Sequence, residues 1–241
     1  MDKTLENTVD TYFGRKKSLS RNELIHAILK DYPSLTLNTI NVYLSKLKKQ
    51  GILINPSRGI YSISKKADFH PEIAPPLKKV YNKIHQALPY VSCCIWDSRW
   101  LNSFMRHQTF KQYIVIEVEK VAMSQVFNII NEFSDHGYMD PNTLIFDLYI
   151  TNSDEAIIIR PLVSEAPLAT EKKVAIPTLE KLLIDMLADK DLFAAQQGEL
   201  DFIFKTAFEK FQINTSKMNR YALRRNRLTE LNNMLNIISA K

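Results

Sequence analysis

Apolar positions over the first 63 residues follow a helical period twice and then switch to a strand-like one. Leu24, Ile25, Ile28 and Leu29 fall on one helical arc, and Ser20-Arg21-Asn22-Glu23 has capping-box spacing, so a helix is expected from Ser20 to about Asp31. Tyr32-Pro33-Ser34 ends it, because the residue before a proline avoids α backbone. Leu37, Ile40, Leu44 and Leu47 repeat the period and predict a second helix over residues 37 to 50, stopped by Gly51, with that arc packed inward. Residues 52–55, a turn at 56–59 and residues 60–63 then read as a two-stranded ribbon. A preceding helix from Thr4 to Phe13 is expected to add Leu5, Val9 and Tyr12 to the same core.

Beyond that stretch the pattern alternates. Helices are expected at 77–88, 98–108 and 122–133, and strands at 90–96, 113–118, 144–150, 156–163 and near 174–176. Helices from 177 to about 189, 198 to 211 and 215 to 238 close the chain. Residues 67–76 hold three prolines and little periodicity, which reads as a linker. The expected fold class is mixed, α+β and α/β. Residues 1–66 form a winged helix-turn-helix, 67–76 the linker, and 77–241 an α/β domain closed by a C-terminal helical bundle.

Charge sharpens this division. The chain of 241 residues carries +6 at pH 7, yet residues 1–66 hold 12 Lys/Arg against 5 Asp/Glu, a net +7. The remaining 175 residues sum to −1. A basic first quarter on a neutral remainder is the electrostatic footprint of a nucleic-acid-binding domain. Composition also excludes. Five glycines make a glycine-rich nucleotide loop improbable, and no apolar run approaches the ~18 residues of a membrane span. The start, Met-Asp-Lys-Thr-Leu-Glu, has no signal-peptide pattern. Cys93-Cys94 sits in an apolar run without metal-ligand spacing, which reads as buried thiols in a reducing cytoplasm.

The candidate DNA-reading face is the outer arc of the second helix. It holds Asn38, Thr39, Val42, Ser45, Lys46 and Lys49, with no acidic residue from Leu37 to Gln50. The first turn of a recognition helix reaches base edges, where Asn38 can pair with adenine and Val42 can touch a thymine methyl. Lys46 and Lys49 lie further along and suit phosphates. Arg58 at the ribbon tip suits a narrow minor groove, and Lys65 and Lys66 add sequence-independent attraction. A second basic surface is expected on the last helix: Lys217, Arg220, Arg224, Arg225 and Arg227, with Leu223, Leu228, Leu231, Met234 and Leu235 packing inward.

Catalytic motifs are sparse. The five histidines show no metal-ligand pairing, and there is no nucleophile elbow, phosphate loop or dinucleotide fingerprint, so neither metal nor cofactor is expected. One arrangement keeps an enzyme open. Asp97 and Glu117 end successive expected strands, faintly like metal-dependent nucleases with an Asp…Glu-x-Lys signature, but Glu119 stands where that lysine belongs. A DNA nuclease targeted by the winged helix is therefore the alternative, and a domain sensing a small ligand is a third reading.

Two segments carry a family resemblance. Gly51-Ile52-Leu53-Ile54-Asn55 through Arg58-Gly59-Ile60-Tyr61 resembles the wing of AbiEi-type antitoxins. Ile176-Pro177-Thr178-Leu179-Glu180-Lys181-Leu182-Leu183-Ile184-Asp185 is similar to the Glu-Arg-Thr-Leu-x-Asp helix start of their second domain, with Lys181 and Leu182 in place of Arg-Thr. The resemblance implies the antitoxin and autorepressor of a type IV toxin–antitoxin system. Its partners would be double-stranded DNA at operator repeats and a cognate nucleotidyltransferase-like toxin; it implies no catalysis and no membrane.

Overall fold

The computed structural model describes residues 8–49, 51–64, 66–151, 153 and 155–239. The chain is a mixed α/β protein that divides into two compact units. One comprises the residues up to Asp68 together with Glu209–Ser216, the other Phe69–Phe208 together with the residues from Lys217 on.

In the first unit, β1 (Leu19–Ser20) leads into α1 (Arg21–Asp31), followed by α2 (Leu37–Lys49) and the strands β2 (Leu53–Ser57) and β3 (Ile60–Ile63). The capping box at α1 is complete: the Ser20 hydroxyl accepts from the Glu23 amide at 3.2 Å, and the Glu23 carboxylate accepts from the Ser20 amide at 2.8 Å. Lys16 pairs with that carboxylate and, with Ser20, depresses it to about 2. A depressed carboxyl stabilises above its ordinary value and loses that contribution as pH falls through the folded value, so this corner loosens only in strong acid. Ser20→Ala removes the cap and is expected to cost about 1 kcal/mol in urea denaturation at pH 7.

Helix α2 starts on Thr36, whose hydroxyl accepts from the Thr39 amide at 3.2 Å. It ends in a Schellman motif around Gly51, with Ile52 N–H donating to Leu47 and Gly51 N–H to Lys48, each at 3.0 Å. Gly51 sits at φ +78°, open to glycine without strain. Ile40, Leu44 and Leu47 are buried with Leu24, Ile25 and Ile28. Leu37 is the exception to the expected inward arc: at the first helical position it is 57% exposed. Of the expected helix from Thr4 to Phe13, residues 4–7 lie outside the described residues, and Val9–Tyr12 is a 3-10 turn.

The ribbon is a three-stranded antiparallel sheet, β1-β3-β2, rather than a pair. Its turn is shorter than expected, only Arg58 and Gly59 (φ +76°) between the paired Ser57 and Ile60. Pro56 falls at the register shift between Ile54 and Ser57, where a missing N–H costs no ladder bond. The division between the two units falls within residues 67–76, after Asp68. Ala67 pairs with Phe211, donating to Lys210 O at 3.0 Å and accepting from Gln212 N at 2.8 Å. Pro75 and Pro76 open the next helix, where no intrahelical donor is needed.

The second unit is built on a four-stranded sheet, β4 (Cys93–Asp97), β5 (Gln112–Val118), β7 (Glu155–Pro161) and β6 (Gly137–Met139) in spatial order. Only the β4–β5 pair is antiparallel. Helices α3 (Pro75–Ala87) and α4 (Met123–Asn131) share a core with Ile95, Ile114, Ile116 and Val118 on one face. Helix α5 (Leu179–Ala188) lies on the other and is buried from Leu179 to Leu187. Burial on both faces explains the nearly unbroken apolar runs of β5 and β7.

Three expectations fail here. Residues 144–150 are not a strand but a turn of α-helix, Thr143–Ile145, running into π-helical Phe146–Ile150. The Asn142 side chain caps that start, and Phe146 and Ile150, four apart, face inward. The strand lies earlier, at β6, too short for its alternation to register. The strand near 174–176 stands as expected, and it is the second half of a hairpin, β8 (Leu168–Glu171) and β9 (Val174–Pro177). Its turn residues Lys172 and Lys173 both have positive φ, a role that sequence usually marks with Asn-Gly. Residues 98–108 form only a 3-10 stretch, Ser98–Phe104.

The third failure is the last helix, which is two, after α6 (Leu200–Lys210): α7 (Thr215–Arg224) and α8 (Leu228–Ser239). Asn226 at φ +56° ends α7 in a second Schellman motif, Arg227 N–H donating to Ala222 at 2.8 Å. Among the described residues, no helix is long and apolar enough to cross a membrane.

Candidate nucleic-acid interface

The outer arc of α2 follows from its inner one. With Ile40, Leu44 and Leu47 buried, Asn38, Val42, Ser45 and Lys46 are exposed. Val42 is 69% exposed, an apolar side chain on an otherwise polar surface. Thr39 is half-buried, and its hydroxyl lies 2.9 Å from that of Thr36, so it serves the helix start rather than an outside ligand. Arg21, at the start of α1, donates to Asn41 of α2 at 2.8 Å and braces the two helices on this side. Lys49 is helical, but its side chain lies outside the described residues.

Arg58 is exposed at the two-residue tip of the ribbon, which Asn55 stiffens by donating to Ile60 O at 2.7 Å. Lys66 is exposed while its carbonyl accepts from Gln212 at 3.2 Å. Lys65 lies outside the described residues.

The second basic surface does not form a single stripe. Because α7 ends at Arg224, the helical phase restarts at Leu228 and the expected register is lost. Leu223, expected to pack, is 67% exposed, whereas Leu231 is buried as expected; Met218, Tyr221 and Ala222, not expected to pack, also face inward. Arg224 donates to the Ser164 hydroxyl. Arg225 lies 3.2 Å from Asp185, and Arg227 donates to Leu187 O at 3.2 Å and pairs with Glu230. Lys217 and Arg220 remain exposed beside Glu165 and Pro167.

The three carboxylates of the nuclease reading are not brought together. Glu117 is paired with Cys94 and Asp97 with Ile114, an odd offset along β4 that puts the two acids on opposite faces of the sheet. Asp97 is held by Arg99, with Nη2 to Oδ2 at 2.6 Å. Glu119 is exposed and accepts from the Ser92 amide at 3.1 Å. Among the described residues no group of three or more His, Cys, Asp or Glu is placed to hold a metal ion.

Glu117 instead belongs to a buried network that sequence reasoning missed. Lys181 of α5 donates to both Glu117 oxygens, at 2.5 and 2.6 Å, and to Asp185 at 2.6 Å. Trp96 donates to Glu117 at 3.0 Å and Tyr221 to Asp185 at 2.9 Å. Burial alone would lower the Lys181 ammonium, but Asp185 and Glu117 outweigh it and hold it well above the ordinary lysine value. Burial pushes Glu117 up, against the pull of Lys181. A lysine so charged is no nucleophile, and the network ties β4, β5, α5 and α7 together. A signal was present: Lys181 and Asp185 stand four apart in a helix whose one other charged residue is Glu180, and a lone Glu117 interrupts an apolar strand. Both cysteines are free, and burial pushes the Cys93 thiol up to about 12 and raises Cys94 strongly, which disfavours the thiolate.

The profile described as "Family of unknown function (DUF6577)" matches residues 39–241. The chain belongs to that family. The DUF6577 match opens inside α2, so it takes in Val42, Ser45, Lys46 and Arg58 as well as the whole Lys181 network, and leaves Asn38 one residue outside. No curated protein matches the chain.

Proposed function

We propose that this DUF6577 protein is a cytoplasmic, sequence-specific DNA-binding transcription regulator whose first unit is a winged helix-turn-helix. The observation that carries it is the outer face of α2: exposed Asn38, Val42, Ser45 and Lys46, without an acid from Leu37 to Gln50, in the segment that holds all the net positive charge. In this reading Asn38 and Val42 meet base edges in the major groove, Lys46 meets phosphates, and Arg58 on the ribbon enters the neighbouring minor groove. Its role is that of an autorepressing antitoxin beside a nucleotidyltransferase-like toxin, acting without catalysis. The support for that role is the AbiEi-type resemblance, and Lys181 and Asp185, two positions of the second motif, are both in the buried network.

The test is fluorescence anisotropy with the whole chain and a duplex from its own upstream region, because residues 1–66 alone would lack the 209–216 segment that completes the first unit. Affinity should fall linearly on a log–log plot against salt, with a slope of about −0.9 per phosphate neutralised. A scrambled duplex should bind more weakly at every salt concentration. Equal affinity for both duplexes would refute sequence-specific regulation.

A further inference from the structure

The second unit contains a cavity of about 100 Å³ on the same side of the sheet as α5. Its walls include Trp96, Leu101, Phe146 and Phe193, each nearly fully buried, and Trp96 and Phe193 stack with centroids 5.5 Å apart. Two residues of opposite charge line it, half-buried Lys111 and exposed Asp191. Among the described residues they form no ion pair with each other, and Lys111 pairs with no other acid; Asp191 accepts from the Thr143 hydroxyl at 2.8 Å.

We propose that this cavity binds a free aliphatic α-amino acid. An apolar recess with a few oriented polar groups is the usual form of a small-molecule site. Size narrows the choice, since an apolar cavity of about 150 Å³ holds a benzene ring. Here a branched aliphatic group fits better than an aromatic one. The opposite charges narrow it again: at the mouth of the recess the ligand carboxylate meets Lys111 and its ammonium meets Asp191, so both ends of the zwitterion have a partner of opposite charge. A plain fatty acid or amine would satisfy only one. Occupancy is legible from outside, because Trp96 forms part of the wall. This inference is independent of the DNA-binding proposal.

The test uses the full chain with Trp100→Phe, which leaves Trp96 as the sole tryptophan, and follows its emission during titration. The melting temperature of the unmodified chain gives a second readout. Leucine, isoleucine or valine should change the emission saturably and raise the melting temperature. Isocaproate, lacking the ammonium, and isopentylamine, lacking the carboxylate, should need at least roughly tenfold higher concentration, the loss of one charge-assisted contact. Lys111→Ala and Asp191→Asn should weaken leucine by a similar factor. The proposal is overturned if none of the three amino acids shifts either readout, if isocaproate matches leucine, or if both variants bind leucine as the parent does.

Discussion

Lys181→Met is expected to destabilise the chain by about 3–5 kcal/mol, the cost of removing one partner from a buried ion pair. Methionine keeps most of the stem volume, so packing around this fully buried position changes little and the loss is electrostatic. What remains is two carboxylates, Glu117 and Asp185, facing a site without its cation. The midpoint in urea at pH 7 measures the effect, which should stand apart from the milder Ser20→Ala cap variant. The pH dependence has a definite sign. In the parent chain Lys181 is raised, so its contribution is complete below the ordinary lysine value of 10.5 and is lost only as pH climbs through the higher folded value. Neutral pH is therefore flat on this account. In the variant, burial raises Glu117 with no cation opposing it. A raised carboxyl stabilises most below its ordinary value of 4.5 and loses that contribution as pH rises through the folded value, so the deficit should narrow from pH 8 towards pH 5. A deficit below about 1 kcal/mol, or one that widens in acid, would show that the network contributes little to holding the unit together.

That network also shows where sequence reading stops. Its members, Trp96, Glu117, Lys181, Asp185 and Tyr221, come from four elements, and only the Lys181–Asp185 spacing is local enough to notice. Local signals did better. The capping box at Ser20, the glycine stops at Gly51 and Gly59, and the inward arc of Ile40, Leu44 and Leu47 are each set by a few neighbouring residues, and each stands in the structure as expected. Failures came where one residue type did another's work. Lys172-Lys173 takes a turn that glycine usually marks, and Asn226 breaks a helix whose apolar pattern runs through it. Residues 209–216 join the first unit through pairing with Ala67, a contact between segments more than 140 residues apart that no window can reveal. At the candidate interface, the outward positions Asn38, Val42, Ser45 and Lys46 were legible from periodicity, whereas the engagement of Thr39 with Thr36 depended on where the helix begins.

Asn38→Ala and Lys46→Ala should separate the two halves of DNA recognition. Asn38 is exposed in the first turn of α2, and an Asn–adenine pair in the major groove is worth about 1–3 kcal/mol of discrimination. Its removal should therefore lower affinity for the native upstream duplex by roughly 5- to 150-fold while leaving a scrambled duplex almost unchanged. Lys46 lies two turns further along, where a lysine meets phosphate; its loss should weaken both duplexes by the same factor and reduce the salt slope by about one. Because neither variant disturbs Ile40, Leu44 or Leu47, both should melt close to the parent, which separates recognition from folding. The decisive outcome is the ratio of affinities for the two duplexes. If Asn38→Ala lowers both equally, the outer face of α2 attracts DNA without reading it, and specificity has to come from elsewhere in the chain.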